Sequence, residues 1–145
     1  MKWRDLTAEE LAAIPEARLG GTLLAAVLLA ALLCLVAVAG WLFAFDRFRE
    51  IGSRYMVAVS FAAVLSFVFV VMTLLRLRHT PVAIAGGLLV WVLYRGGVAI
   101  SYGAVAHWPL LVDMLGELVL AAGFCAYMAG AVRPNVYYRR RLPVR

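Results

Sequence analysis

The sequence has few of the residues that catalysis and metal binding require. Of its 145 residues, eight are acidic and two are histidines. It contains no HExxH sequence, glycine-rich phosphate loop, zinc-ligand spacing or serine–histidine–acid arrangement. His79 and His107 lie 28 residues apart, which is roughly 40 Å along a helix, so they cannot share one haem iron. We therefore predict no enzyme, no cofactor and no metal site.

Cysteine is equally scarce. Cys34 and Cys125 both lie in apolar runs without a CxxC or Cys/His neighbourhood, which is typical of buried, inert thiols. Nucleic-acid-binding signatures are also absent. The net charge of +6 is concentrated at the ends and in the loops, so we expect contact with anionic lipid headgroups and no nucleic acid.

Long apolar runs are what the sequence has in abundance. It is 66% hydrophobic, with a mean hydropathy of +0.94. Four runs reach the length of about 18 residues that a membrane-spanning helix needs. We predict one all-α membrane domain over residues 1–145, an integral four-helix bundle. Its predicted spans cover about 19–45, 55–75, 82–105 and 109–132.

Polar segments flank these spans. Thr7 and Glu10 have the spacing of a capping box, which predicts a short amphipathic surface helix within the N-terminal segment 1–18. After the last span, which Arg133 and Pro134 are expected to end, residues 133–145 read as a basic tail. Contact of this tail with lipid headgroups, or alternatively with a partner protein, is predicted for Arg133, Tyr137, Tyr138, Arg139, Arg140 and Arg141.

The distribution of basic residues predicts that both termini face the cytoplasm. With that orientation ten Lys and Arg residues lie inside and three lie outside, namely Arg47, Arg49 and Arg54. Cytoplasmic loops carry the excess of positive charge in membrane proteins. We therefore expect a multi-pass membrane protein with N-in, C-in topology.

Two charged residues interrupt the last two spans. The turn between these spans is centred near residue 106. Arg95 lies eleven residues before it, and Glu117 lies eleven residues after it. In an antiparallel hairpin these equal counts place both residues at one depth, about 16 Å from the turn and near the middle of a core about 30 Å thick. Charges at such a depth are costly unless they are paired, so we predict an ion pair.

Other polar residues accompany this pair. Asp113 lies one helical turn before Glu117 and shares its face, while Tyr94 and Tyr102 lie on the same span as Arg95. We predict that these five residues form a polar cluster. Three interpretations remain open: an ion pair that only fixes the register of the hairpin, a proton or ion relay or ligand pocket, and a contact to another subunit or a lipid headgroup.

Glycine recurs every seven residues on both of these spans. Gly116, Gly123 and Gly130 lie on the fourth span, and Gly96 and Gly103 on the third. Small residues at this interval let two spans approach closely. We therefore expect close packing between the third and fourth helices through their glycines.

Two short motifs carry a family resemblance. They are Arg18-Leu19-Gly20-Gly21, which leads into the first span, and the stretch from Ala126-Tyr127-Met128 to Arg133-Pro134-Asn135-Val136-Tyr137-Tyr138. With the spacing of the four spans, the chain resembles the bacterial inner-membrane proteins of the YdgK type over nearly its whole length. That family has no established activity, so the resemblance implies topology and location only.

Two functional hypotheses follow. The leading one is a non-enzymatic accessory or interaction subunit, either as a homo-oligomer or within a larger membrane complex. The alternative is a minimal proton- or cation-coupled transporter or channel, in which Glu117 and Asp113 bind the ion and Arg95 tunes them.

Overall fold

The computed structural model describes residues 3–101 and 108–143, apart from the side chains of residues 51 and 110. In these ranges the chain is helical except for two three-residue strands and the connecting turns. A single 3-10 turn, Pro15–Ala17, precedes the first long helix. The elements in chain order are β1 (Trp3–Asp5), α1 (Ala8–Ala13), α2 (Gly21–Phe43), α3 (Phe45–Ile51), α4 (Ser53–Leu74), α5 (Thr80–Ser101), α6 (Trp108–Gly130), α7 (Val132–Arg139) and β2 (Arg141–Pro143).

Four of these helices, α2, α4, α5 and α6, are long and apolar enough to cross a membrane. Each has 22 or 23 residues, which corresponds to about 33 Å of helix, close to the thickness of a hydrocarbon core. Proline is absent from their interiors beyond the first turn, so their backbone hydrogen bonds run without interruption. The structure thus shows an all-helical protein with four candidate spans.

The long helices pack in the order α2, α4, α5, α6, with the most extensive contact between α2 and α4. The end of the bundle that carries α3 is called the α3 end, and the end that carries β1, β2 and α7 is called the terminal end. The buried core lies toward the terminal end and includes Leu23, Phe69 and Met128. Large apolar side chains elsewhere, such as Leu42 and Leu120, are exposed, as lipid-facing positions of a membrane helix require.

The expectation that glycines bring the third and fourth spans together is wrong for the glycines that the structure describes; Gly103 lies outside the described residues. Open space lies in front of Gly116, Gly123 and Gly130, and the nearest atom to a Cβ at Gly96 would be Cε of Met114 at 3.9 Å. The close approach occurs between α4 and α5, where a Cβ at Gly87 would collide with Cδ1 of Leu65. Periodicity identifies a small-residue face, but it does not say which neighbour that face meets.

The chain ends form a folded cap at the terminal end. Strands β1 and β2 pair in antiparallel register, with Trp3 opposite Pro143. Helix α1 begins at the predicted capping box, in which both hydrogen bonds between Thr7 and Glu10 are present. The basic tail expected after residue 132 is instead helix α7 followed by β2. Pro134 lies in the first turn of α7, where its missing N–H is not needed by the helix.

Candidate functional site

Arg95 on α5 and Glu117 on α6 make a bidentate contact. Nη2 of Arg95 lies 2.7 Å from Oε1 of Glu117, and Nε lies 3.1 Å from each carboxylate oxygen. Each side chain is about one quarter exposed. Two parallel hydrogen bonds between a guanidinium and a carboxylate are strong and fix the relative orientation of the groups. This contact therefore sets the register between α5 and α6.

Trp91 extends the contact to a third helix. Its Nε1 donates to Oε2 of Glu117 over 3.1 Å, and its ring stacks on Phe61 of α4 at a centroid distance of 5.9 Å. The guanidinium of Arg95 lies 5.9 Å from the indole centroid. Sequence reasoning did not include Trp91 in the cluster. Its position four residues before Arg95 is the signal that could have found it, because residues at that spacing share a helix face.

Asp113 is the more accessible carboxylate. Its Oδ2 lies 3.2 Å from Nη2 of Arg95, and 64% of its side chain is exposed. Glu117 accepts hydrogen bonds from both Arg95 and Trp91, whereas Asp113 accepts this one bond from Arg95. Of the two carboxylates that contact Arg95, Asp113 is therefore the less firmly held.

A polar cavity of about 340 Å³ reaches Arg95 from the α3 end. Tyr94 and Arg54 form part of its wall. The Tyr94 hydroxyl donates to the carbonyl oxygen of Arg54 over 2.9 Å. Nη1 of Arg54 also donates to Oγ of Ser101 over 2.7 Å. The cavity is lined by Gly52, Ser53, Arg54, Tyr55, Ala58, Tyr94, Arg95 and Val98.

An apolar groove of about 400 Å³ lies on the other side of the ion pair. All four long helices contribute to it, for example Leu33 of α2, Leu65 of α4 and Phe124 of α6, and Glu117 is its one charged lining residue. The Arg95–Glu117 contact therefore stands between a polar cavity and an apolar groove.

The structure brings together three of the five residues predicted for the cluster: Arg95, Asp113 and Glu117. Tyr94 lines the same polar cavity as Arg95 but donates its hydroxyl proton to α4. Tyr102 lies outside the described residues, as does the turn near residue 106.

Tyr137 and Tyr138, which were expected to contact headgroups or a partner, are packed inside the terminal end with 6% and 3% exposure. The hydroxyls of Tyr138 and Thr73 lie 2.7 Å apart, and the hydroxyl of Tyr137 donates to the carbonyl oxygen of Thr73 over 3.1 Å. Burial raises the pKa of Tyr138 from its usual 10 to about 12. Both rings fill space between α4 and α7, which is more favourable than leaving them exposed.

Arg133, also expected at a headgroup or partner, reaches back to the start of the first long helix. Its Nη1 donates to the carbonyl oxygen of Arg18 over 3.2 Å. A Cβ on Gly21, whose φ is +54°, would lie 3.3 Å from Nε of Arg133. Glycine suits this position because the backbone is left-handed and the guanidinium lies close to it.

Asn135 is a structural residue that sequence reasoning missed. It is fully buried, and its Nδ2 donates to the carbonyl oxygens of Ala129 and Ala131 at 2.9 and 2.8 Å. Its Oδ1 accepts from Arg139 and Arg141, each over 3.2 Å. The side-chain amide thus joins the end of α6 to α7, and it orients two of the remaining predicted contact residues. An asparagine just after the end of an apolar run was the available signal.

Comparison of the chain with protein-family models, curated protein sequences and solved structures finds no match.

Proposed function

We propose that this protein is a small multi-pass membrane protein that acts as an accessory or interaction subunit, associating with a second copy or with another membrane protein. The observation that carries this proposal is an exposed face of α6 made of small and β-branched residues. Along it lie Val112, Gly116, Val119, Gly123, Ala126 and Gly130.

The face has the geometry of a helix-docking surface. Its members recur at intervals of three and four residues, so they form one stripe along the helix. All six are exposed, and the three glycines have open space before them. Small residues let the backbones of two membrane helices approach and gain van der Waals contact. Since the partner of this stripe is not α5, a helix of another chain fits it.

The ion pair supports the same proposal. Glu117 and Arg95 neutralise each other and anchor α6 to α5 through several hydrogen bonds. Their contact holds α6 in one rotational setting, with the small-residue stripe directed away from the bundle. A fixed setting lowers the ordering cost of association.

Photo-crosslinking in the native membrane tests this proposal. A photoreactive amino acid at Val119, on the stripe and 68% exposed, should give a discrete adduct with a protein, whose identity mass spectrometry then supplies. The same residue at Leu118, 46% exposed and about 100° away around the helix, should give lipid adducts. Gly123→Leu should abolish the protein adduct, whereas Ala122→Leu, one position earlier on a different face, should retain it. Lipid adducts alone at Val119 would contradict the proposal.

A minimal proton- or cation-coupled transporter or channel is the second candidate. It is favoured by the exposed carboxylate of Asp113 beside Arg95, which itself lines the polar cavity. Proton flux into proteoliposomes should then depend on pH and disappear in Asp113→Asn and in Glu117→Gln, provided that circular dichroism shows the helices intact. Arg47→Gln, a change at an exposed residue of helix α3, should leave the flux unchanged.

The location belongs to the same proposal. N-in, C-in topology is supported by the sequence, in which ten Lys and Arg residues belong to segments expected in the cytoplasm and three to the segment expected outside. The bacterial inner membrane and kinship with the YdgK-type proteins are supported by the two short motifs of the resemblance and by the spacing of the four candidate spans. Contact of the terminal end with anionic lipid headgroups is part of the same proposal. Cysteine accessibility at residues 47 and 78 in intact cells would test it, because only the former should be labelled from outside.

A further inference from the structure

A cleft of about 680 Å³ at the terminal end brings together five arginines and a histidine. It lies between the turn that joins α4 to α5 and the turn that joins α7 to β2. Its basic lining residues are Arg76, Arg78, His79, Arg139, Arg140 and Arg141. The volume is within the range of small-molecule sites.

Four of the five arginines have partners other than carboxylates; Nε of Arg78, for example, donates to Nε2 of His79 over 3.1 Å. Arg76 lies over the ring of Tyr137 and Arg141 over the ring of Trp3, each 5.0 Å from the centroid. Arg139 and Arg141 donate to Oδ1 of Asn135. Among residues 3–101 and 108–143 none of the five makes a salt bridge. Four of the side chains are therefore oriented while the charge of all five remains available.

The charge exceeds what the fold itself requires. Helices α4 and α7 end beside the cleft, and each helix C-terminus offers roughly half a negative charge to nearby cations. Five guanidiniums outweigh that, and Asp5 is the one carboxylate in the lining. The pKa of Arg139 is lowered by burial and by the neighbouring charge of Arg141, as expected where like charges are crowded.

Backbone conformation singles out the same cleft. Arg76 and Arg140 both have φ of +52°, and they are the non-glycine residues with positive φ in the described part of the chain. The left-handed conformation at a helix C-terminus is favoured by glycine and costs about 1 kcal/mol for other residues. Arginine occupies both positions, although glycine would be less strained. The conformation of the two turns therefore does not explain why arginine occupies these positions.

We propose that this cleft binds the phosphate of an anionic phospholipid headgroup. Guanidinium groups match phosphate oxygens in geometry and charge. A lipid source is favoured over a soluble phosphate because the cleft lies at the ends of two candidate spans. Its rim also carries the exposed apolar side chains of Leu77 and Val82, 42% and 66% exposed, which suit the start of an acyl chain. The proposal needs membrane insertion but not the α6 interface.

The test compares two double variants with equal loss of charge. Arg78→Gln with Arg140→Gln removes two exposed cleft charges. Arg78 donates to His79, and Arg140 makes no side-chain hydrogen bond, salt bridge or ring contact among the described residues. Arg47→Gln with Arg49→Gln removes two exposed charges at the α3 end. Purified proteins in detergent are titrated with phosphatidylglycerol or phosphatidylcholine, and bound lipid is counted by native mass spectrometry.

We expect one tightly held phosphatidylglycerol on the wild-type protein and on the α3-end variant. In the cleft variant its dissociation constant should rise about 25-fold, at about 5-fold for each of the two charges removed. Equal weakening in the two variants would contradict the proposal, as would equal retention of phosphatidylcholine. Displacement of the lipid by millimolar inorganic phosphate would assign the cleft to a soluble ligand instead.

A variant of opposite sign covers the case in which the cleft variant does not fold. Asp5→Asn removes the single carboxylate of the lining and breaks no salt bridge among the described residues. It should tighten phosphatidylglycerol binding about 5-fold. Unchanged or weaker binding in this variant would overturn the proposal.

Discussion

The two ends of the bundle hold their arginines in different ways. At the α3 end the guanidinium of Arg95 meets two carboxylates, on Glu117 and Asp113. At the terminal end Arg76 and Arg141 lie against aromatic rings. The first arrangement pairs a guanidinium with carboxylates, whereas the second orients guanidinium groups without a carboxylate partner.

This difference indicates what each end contributes. A neutralised pair between two helices is suited to fixing register, because its energy depends on the partners staying opposite each other. A group of oriented but unneutralised arginines is suited to an external anion. The α3 end should therefore be sensitive to the loss of one charge, and the terminal end to the loss of packing around its tyrosines.

Glu117→Gln should produce the largest effect. It removes the charge that compensates Arg95 between two spans, and breaking one partner of such a pair costs about 3 kcal/mol of unfolding free energy. Denaturant titration in detergent, followed by circular dichroism, measures this loss.

Asp113→Asn is the matched control at the same arginine. Because the Asp113 side chain is 64% exposed and makes one longer contact, its loss should cost less than about 1 kcal/mol. Equal losses in the two variants would mean that the bidentate geometry does not distinguish the two carboxylates.

Exchanging the two charges should sharpen the assignment. Arg95→Glu with Glu117→Arg restores an opposite pair, but the new glutamate faces Asp113, so we expect only part of the lost stability to return. Adding Asp113→Asn removes that repulsion and should recover roughly 1 kcal/mol more. The same denaturant titration checks this order, and a triple variant no more stable than either single change would count against direct pairing.

Alkaline pH should destabilise the terminal end through Tyr138. Its pKa is raised by burial to about 12 in the folded protein, against 10 when exposed. The neutral form therefore stabilises the fold fully below pH 10, and this contribution is lost as the pH rises toward 12. Two pKa units correspond to about 2 to 3 kcal/mol when the whole range is traversed. Melting temperature measured from pH 8 to 11.5 should fall accordingly.

Two tyrosine variants separate this cause from general alkaline damage. Tyr138→Phe should flatten the decline, at the cost of about 1 kcal/mol at neutral pH from the lost contact with Thr73. Tyr55→Phe, an exposed ring at the α3 end, should retain the decline. If both variants decline alike, Tyr138 is not the responsible group.

Sequence patterns predicted the structural features that depend on local helix geometry. Run length predicted four helices long enough to span, and the spacing of Thr7 and Glu10 predicted the capping box that is present. Equal counts from a turn also placed Arg95 opposite Glu117, and these side chains lie 2.7 Å apart. Each of these features depends on helix geometry within one or two neighbouring segments.

The terminal cap could not be predicted in this way. Its contacts join segments far apart in the chain, such as Thr22 with Tyr127 and Thr73 with Tyr138. A basic stretch with tyrosines has the same composition whether it lies on headgroups or folds back onto the bundle. The prediction that the α6 glycines face α5 was wrong for a related reason. The rotation of a helix about its axis is set by contacts such as Arg95–Glu117 and not by the period of its own sequence.

The smallest predicted effect concerns α1, at the edge of the terminal end. The pKa of Glu10 is lowered by the hydrogen bond that its carboxylate accepts from the backbone N–H of Thr7. It is lowered further by Arg4, whose Nη1 lies 2.8 Å from Oε1 of Glu10. The ionised form therefore stabilises the cap above the unfolded pKa of 4.5, and the contribution is lost as the pH falls through the lower folded value. The amide resonance of Thr7 should report this titration by NMR. Glu10→Gln should remove the inflection and Glu9→Gln should preserve it, because Glu9 takes no part in the capping box; an inflection that persists without Glu10 would show that α1 is not closed by this contact.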